Sequence, residues 1–188
     1  MIYTGEIQSI KNAHVAIIVS KFNRTITQRL LDGALAKFQE TGVSEDQIDI
    51  FWVPGAFELP LTLEKILCKN KYIGAIVLGA VIRGETSHDQ HINRTISHQF
   101  SRLSIRHQTP VMFGVLTCNT VEQAIARSGG SSTEENISDT ENNDYRTLNN
   151  CESDSKDKSV APHLGNKGRE CAEALLEIIN LFEKIDKI

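Results

Sequence analysis

Four short runs, VAIIV at 15–19, IDIFWV at 48–53, IGAIVL at 73–78 and VMFGVL at 111–116, are rich in β-branched and aromatic residues and almost continuously apolar. A strand with one wet face alternates apolar and polar side chains, so runs like these suit strands covered on both faces, as in a parallel sheet between helices. Segments with helical period separate them. Leu30, Leu31, Ala34, Leu35 and Phe38 share one face, with Gly42 behind them as a stop signal. Leu59, Leu63, Ile66 and Leu67 repeat the pattern, as do Ile92, Ile96, Phe100 and Leu103. The stripe Cys171, Ala174, Leu175, Ile178, Phe182 and Ile185 predicts a last helix packed on the core. Strand and helix therefore alternate, which implies right-handed crossovers and a three-layer α/β sandwich around a four-stranded parallel sheet, with ligands beyond the carboxyl ends of the strands. Residues 1–10 read as an additional N-terminal strand that could pair with its own sheet or with a neighbour's.

A chain of 188 residues with 40% apolar content can bury a substantial core as one domain. Twenty basic against 24 acidic residues give net charge -4 without a basic block, which argues against nucleic acid as a partner and leaves small anionic ligands open. Cys68, Cys118, Cys151 and Cys171 are widely spaced and form no C-x-x-C pair, so they read as reduced thiols. The apolar run at 13–19, broken by His14, is too short to span a bilayer and lacks the flanks of a signal peptide, so no membrane partner and a cytoplasmic location are expected. One stretch breaks the pattern. Residues 130–164 hold eight acids against three bases, with many Ser, Thr and Asn, and this acidic insertion is expected to be a disordered or loosely held loop because it carries too little apolar surface to offset chain entropy.

Chemistry-bearing residues cluster where the strands end. Phe22, in SKFN at 20–23, stands where a ligand ring could stack on it or where an aromatic caps the core. VPGAFELP at 53–60 turns from strand to helix, exposing the main chain of Ala56 and Phe57 and setting Glu58 in a first helical turn, where an acid also complements the helix dipole. GAVIRGETSH at 79–88 enters a helix capped by Thr86 or Ser87, with Ser87 and Gln90 spaced as a capping box, and free amides there suit a phosphate. His88 lies in that first turn, where the positive end of the dipole disfavours imidazolium, so it suits proton transfer as well as a solvated surface role. His88 and His91 alone do not make a metal site, which needs three or four converging ligands, and none is expected there. Phe113 lies inside a strand, Arg127 closes the helix after Thr120, and Lys167 precedes the last helix. Core packing, a cation at a helix end and a surface lysine are their ordinary readings.

Taken in order, SKFN, VPGAFELP, GAVIRGETSH, PVMFGVLT with EQAIARSG, and GNKGRECA resemble the lumazine synthase family over nearly the whole chain outside 130–164. The resemblance implies a flavodoxin-like fold and a transferase that condenses 5-amino-6-(D-ribitylamino)uracil with 3,4-dihydroxy-2-butanone 4-phosphate to give 6,7-dimethyl-8-ribityllumazine in riboflavin biosynthesis. By this likeness Phe22 stacks on the pyrimidine, Ala56, Phe57 and Glu58 receive the ribityl chain, and Ala80, Val81 and Ile82 line the ring pocket. Glu85, Thr86 and Arg127 meet the ketose phosphate, and His88 moves protons. Phe113, Arg127 and Lys167 reach a site built mainly by the adjacent subunit of a homopentamer, with Phe113 and Lys167 on the pyrimidine side. No metal or redox cofactor is implied.

Two features depart from the family pattern. An aromatic residue commonly follows the proton-transfer histidine, whereas this chain has Asp89, and the acidic insertion separates Arg127 from Lys167. Its charge predicts a free pentamer, or at most a pair of pentamers, in place of a closed shell. A non-catalytic lumazine- or flavin-binding protein is the alternative, and it could discard His88 and Arg127, both of which are present. A generic flavodoxin-like or receiver module would show a phosphate-cradling loop after the first strand or paired carboxylates at the strand ends, and neither occurs.

Overall fold

The computed structural model describes residues 1–130 and 165–188. Its strands are β1 (His14–Ser20), β2 (Ile48–Val53), β3 (Tyr72–Ile82) and β4 (Val111–Cys118), and its helices α1 (Arg24–Glu40), α2 (Leu59–Leu67), α3 (His88–His107), α4 (Val121–Arg127) and α5 (Lys167–Ile185). Among the described residues the strands form one sheet in the order β2-β1-β3-β4, with every pairing parallel.

The two central strands account for their unbroken apolar runs. Val15, Ile17 and Val19 pack with Ile76, Leu78 and Ala80 against α1, α4 and α5, while Ala16, Ile18, Ala75, Val77 and Val81 pack against α2 and α3. Both faces of β1 and β3 are thus dry, as the sandwich requires, except at the start of β3, where Ile73 is exposed. The edge strands are covered less fully than their sequences suggest: Ile50 of β2 and Phe113 of β4 are exposed. A strand at a rim has a helix over only part of each face, so some of its apolar side chains meet solvent.

The expected stripes of α1 and α2 are buried, apart from a half-buried Leu35 in α1, and α1 stops at Gly42, whose φ of 77° is the left-handed conformation that glycine accepts without penalty. In α5 the buried face differs from the expected one. Gly168, Cys171, Ala172, Leu175, Leu176 and Ile179 are buried, whereas Ala174, Phe182 and Ile185 are exposed. Apolar residues run along two adjacent stripes of this helix, and α5 turns the stripe with the smaller side chains inward, letting Gly168 approach the Leu30 carbonyl of α1.

Residues 1–10 form no strand among the described residues. The segment joins neither outer edge of the sheet, β2 or β4, and runs along α5 instead, held by hydrogen bonds to that helix. The Glu6 amide donates to Asn180 Oδ1 at 2.9 Å, and Lys184 donates to the Thr4 carbonyl at 3.0 Å. Ser128 and Asn166 form an isolated antiparallel bridge on either side of the acidic stretch, of which all but Gly130 lies outside the described residues. Among the described residues no helix is long and apolar enough to cross a membrane.

Candidate active site

Where β1 ends, the chain hydrogen-bonds its neighbours one step beyond the sheet. The Lys21 amide donates to the Val53 carbonyl at 2.8 Å and the Phe22 amide to that of Pro54 at 3.1 Å, which ties SKFN to the exit of β2. Asn23 adopts a left-handed conformation, with φ 57°, and its side-chain amide donates to the Ala80 carbonyl of β3 at 2.9 Å. Asn tolerates this backbone region better than other residues with a Cβ, so one residue both turns the chain into α1 and fastens β1 to β3. Phe22 is 52% exposed above the strand ends, where an aromatic ring can stack on a ligand.

After β2, a 3-10 turn at Ala56–Glu58 leads into α2, whose second residue is Pro60. Glu58 does not simply complement the helix dipole: its Oε2 accepts the Gly55 amide at 2.8 Å and closes the turn on itself. Phe57 projects at 61% exposure, whereas Ala56 is buried. At the end of β3, Ala80 and Val81 are buried and Ile82 is half-buried, so their main chain and not their side chains forms the floor. The Arg83 amide extends the pairing to the Cys118 carbonyl at 2.8 Å.

Glu85, Thr86, Ser87 and His88 are all exposed, and His88 is the first residue of α3. The expected capping box is not formed. Ser87 occupies the cap position but its φ and ψ of -78° and 12° are not the extended values of a capping residue, and its side chain makes no cap hydrogen bond. The Gln90 amide is taken by the Ser87 carbonyl at 3.1 Å, and no side chain caps the amides before it, an arrangement that suits an anion. Asp89 turns one carboxylate oxygen inward, where it is buried without a partner, and Asn93, one turn along, does the same with its side-chain oxygen.

The remaining expected residues lie elsewhere. Phe113 packs on Phe100 of α3 with ring centroids 5.7 Å apart. It pairs with Val77, five residues before Ile82 at the end of β3, so roughly 16 Å separates it from the carboxyl edge of its own sheet. Arg127 and Lys167, at the end of α4 and the start of α5, share one oxygen of Glu170 at 3.0 and 3.2 Å. Burial pushes the Glu170 carboxyl up, but the hydrogen bonds and charges of Lys167 and Arg127 outweigh it and hold the group below the ordinary carboxylate value. Burial raises the nearby thiols of Cys118 and Cys171, the latter to about 11, so neither is a ready nucleophile at neutral pH.

The expected residues thus fall into two groups. Phe22, Ala56, Phe57, Glu58, Ala80, Val81, Ile82, Glu85, Thr86 and His88 stand at the carboxyl ends of the first three strands and on the loop into α3, which packs against the 3-10 turn. Phe113 sits on the flank of α3, and the pair of cations at the junction of α4 and α5. Sequence reasoning passed over Asn23, though it stands in SKFN, and Glu170, whose i,i+3 spacing from Lys167 is a recognisable ion-pair signal.

A family profile described as 6,7-dimethyl-8-ribityllumazine synthase matches residues 12–183. The chain is 39% identical over 173 residues to the 6,7-dimethyl-8-ribityllumazine synthase of Pediococcus pentosaceus, covering 92% of this chain and 90% of that one. It is 37% identical over 188 residues to the protein of the same name from Leuconostoc mesenteroides, covering the whole of both. With that of Rhodopirellula baltica it shares 38% over 181 residues, 96% of each chain.

Proposed function

Because the chain belongs to the 6,7-dimethyl-8-ribityllumazine synthase family, we propose that it is the transferase condensing 5-amino-6-(D-ribitylamino)uracil with 3,4-dihydroxy-2-butanone 4-phosphate to 6,7-dimethyl-8-ribityllumazine and phosphate in riboflavin biosynthesis. The observation that carries this reading at the level of the site is the cradle in which Phe22 binds Pro54 and Asn23 binds Ala80, joining three motifs from separate parts of the sequence.

In this reading Phe22 stacks on the pyrimidine. The main chain at Ala56, Phe57 and Glu58 receives the ribityl hydroxyls, and that of Ala80, Val81 and Ile82 meets the ring edge. The uncapped amino end of α3, with Thr86, receives the phosphate, and exposed Glu85 can turn away from it to solvent. The free amine attacks the ketone to give an imine, phosphate leaves, and ring closure completes the product, with two waters lost overall. His88 moves the protons these steps require. Both reactants bring their own reactivity, so the assignment calls for no cofactor, and orientation supplies on the order of 7 kcal/mol against about 10²- to 10⁴-fold for one acid–base group.

Phe113, Arg127 and Lys167 complete the site of a neighbouring copy. The distance of Phe113 from its own strand ends supports this assignment, and it makes the active unit an oligomer, read as a homopentamer of single-domain chains. The free thiols of Cys68, Cys118 and Cys171 suit a reducing compartment, and the enzyme is assigned to the cytoplasm. Mixing the purified protein with both substrates and following lumazine absorbance tests the function. Product forming no faster than the uncatalysed background would overturn it.

A further inference from the structure

Helices α2 and α3 both start near the candidate site and both end at the opposite rim of the sheet, where three side chains converge. Glu64 lies in the last turn of α2 and Cys68 caps that helix four residues later, so the two share a face. His107 is the last residue of α3. Its Nε2 lies 2.8 Å from Glu64 Oε2, and Cys68 Sγ lies 3.9 Å from Glu64 Oε1. One donor atom from each residue falls within 4.8 Å of the other two.

Thiolate, imidazole and carboxylate bound tetrahedrally to zinc stand about 3.3–3.6 Å apart, given bonds of about 2.0–2.3 Å. Shifts of about 1 Å in side chains would bring the present cluster to that spacing. The backbones that carry it are held firmly, since Leu63, Leu67 and Leu103 beside it are buried. Two helices also direct their carboxyl ends, the negative poles of their dipoles, at the same place, which favours a cation. Arg106 competes for Glu64 Oε1 at 3.2 Å, but its side chain is 61% exposed and can withdraw into water. We propose that Glu64, Cys68 and His107 bind one zinc-class divalent cation per chain, with water as the fourth ligand. Binding releases the Cys68 thiol proton to solvent and transfers no electron. The site clasps α2 to α3 at their carboxyl ends, roughly 30 Å along the sheet from the cradle.

Cobalt(II) titrated into the full reduced chain reports a thiolate ligand through a near-ultraviolet charge-transfer band. The band is expected to saturate at one cobalt per chain, to vanish on adding zinc, and to be absent in Cys68→Ser while surviving in Cys151→Ser. His107→Gln should weaken binding by more than the roughly 10- to 100-fold that loss of an outer-sphere partner costs. Absence of the band in the unmodified protein, or its persistence in Cys68→Ser, would overturn the proposal.

Discussion

Arg127 and Glu170 are joined by an ion pair of 3.0 Å, and the same carboxylate oxygen also receives Lys167. One acid thus engages both cations, and in the proposed site an incoming phosphate would displace it from Arg127. Arg127→Ala is expected to raise KM for the ketose phosphate at least about tenfold with little change for the pyrimidine, because a guanidinium offers forked donors to phosphate and little to a neutral ring. Glu170→Gln should tighten inorganic phosphate binding by about fivefold, the release of one partly exposed charge contact. Steady-state kinetics in each substrate and phosphate inhibition constants measure both. Equal losses for the two substrates in Arg127→Ala would count against the assignment.

His88→Ala is expected to lower turnover about 10- to 100-fold with the fold intact, since solvent and substrate groups can still move protons. Circular dichroism and kcat check the two halves of this statement. An unchanged kcat would remove His88 from the mechanism, and a lost fold would make it structural.

Asn166 is a single side chain with three backbone partners. Its amide donates to the carbonyls of Arg29 at 2.9 Å and Ser128 at 2.7 Å, and its oxygen accepts the Arg169 amide at 3.1 Å, so α1, α4 and α5 meet on it. Asn166→Ala should cost about 1–3 kcal/mol, from a lost cap and orphaned carbonyls. Gly168→Ala should cost at least as much, because its methyl would fall on the Leu30 carbonyl. Urea midpoints at fixed protein concentration would show both, and a neutral Gly168→Ala would mean that α5 can move off α1.

Asp49 gives the acid side of the stability profile a specific slope. Lys71 and then Tyr72, by hydrogen bonds, hold its carboxyl below the ordinary value. Folding therefore gains stability that is fully present above the unfolded pKa of about 3.9 and is lost as pH falls through the depressed folded value. Asp49→Asn should flatten that part of the curve in urea titrations below about pH 4, while an unaltered slope would place the acid sensitivity elsewhere.

The assembly prediction follows from charge. Residues 130–164 carry net charge -5, so five copies bring about 25 negative charges to one pentamer, and pentamers docking through that region would set like charges against each other. A free pentamer, or at most a pair, is expected by light scattering. A particle near sixty subunits would refute it, and shell formation on replacing 130–164 by a three- or four-residue turn is the outcome that would identify this segment as the block.

The central strands could be read from sequence because β1 and β3 are dry on both faces and carry the pattern that this imposes. The same pattern in VMFGVL says nothing about which strand is an edge, so periodicity alone gives Phe113 an ordinary core role, whereas the sheet order puts it on an edge strand with its side chain exposed. For α5, two apolar stripes satisfied the helical period equally, and only the approach of Gly168 to α1 selects between them. The motifs located the cradle because each sits at a strand end, but the bond from Asn23 to Ala80 joins residues 57 apart and leaves no trace in local spacing. The cluster of Glu64, Cys68 and His107 was invisible for the same reason: two donors share a helix turn, and the third arrives from another helix.

The bridge between Ser128 and Asn166 has a consequence for engineering. Because Ser128 and Asn166, which flank the intervening segment, are fastened to each other, the entropy of closing a longer loop between them rises by merely about 0.6 kcal/mol for each doubling of length. The bridge is in effect a socket. A foreign domain whose own termini lie close together could be seated there, and the sandwich would carry it much as it carries its present 37-residue span, with the cost set by the cargo's fold and not by the scaffold's.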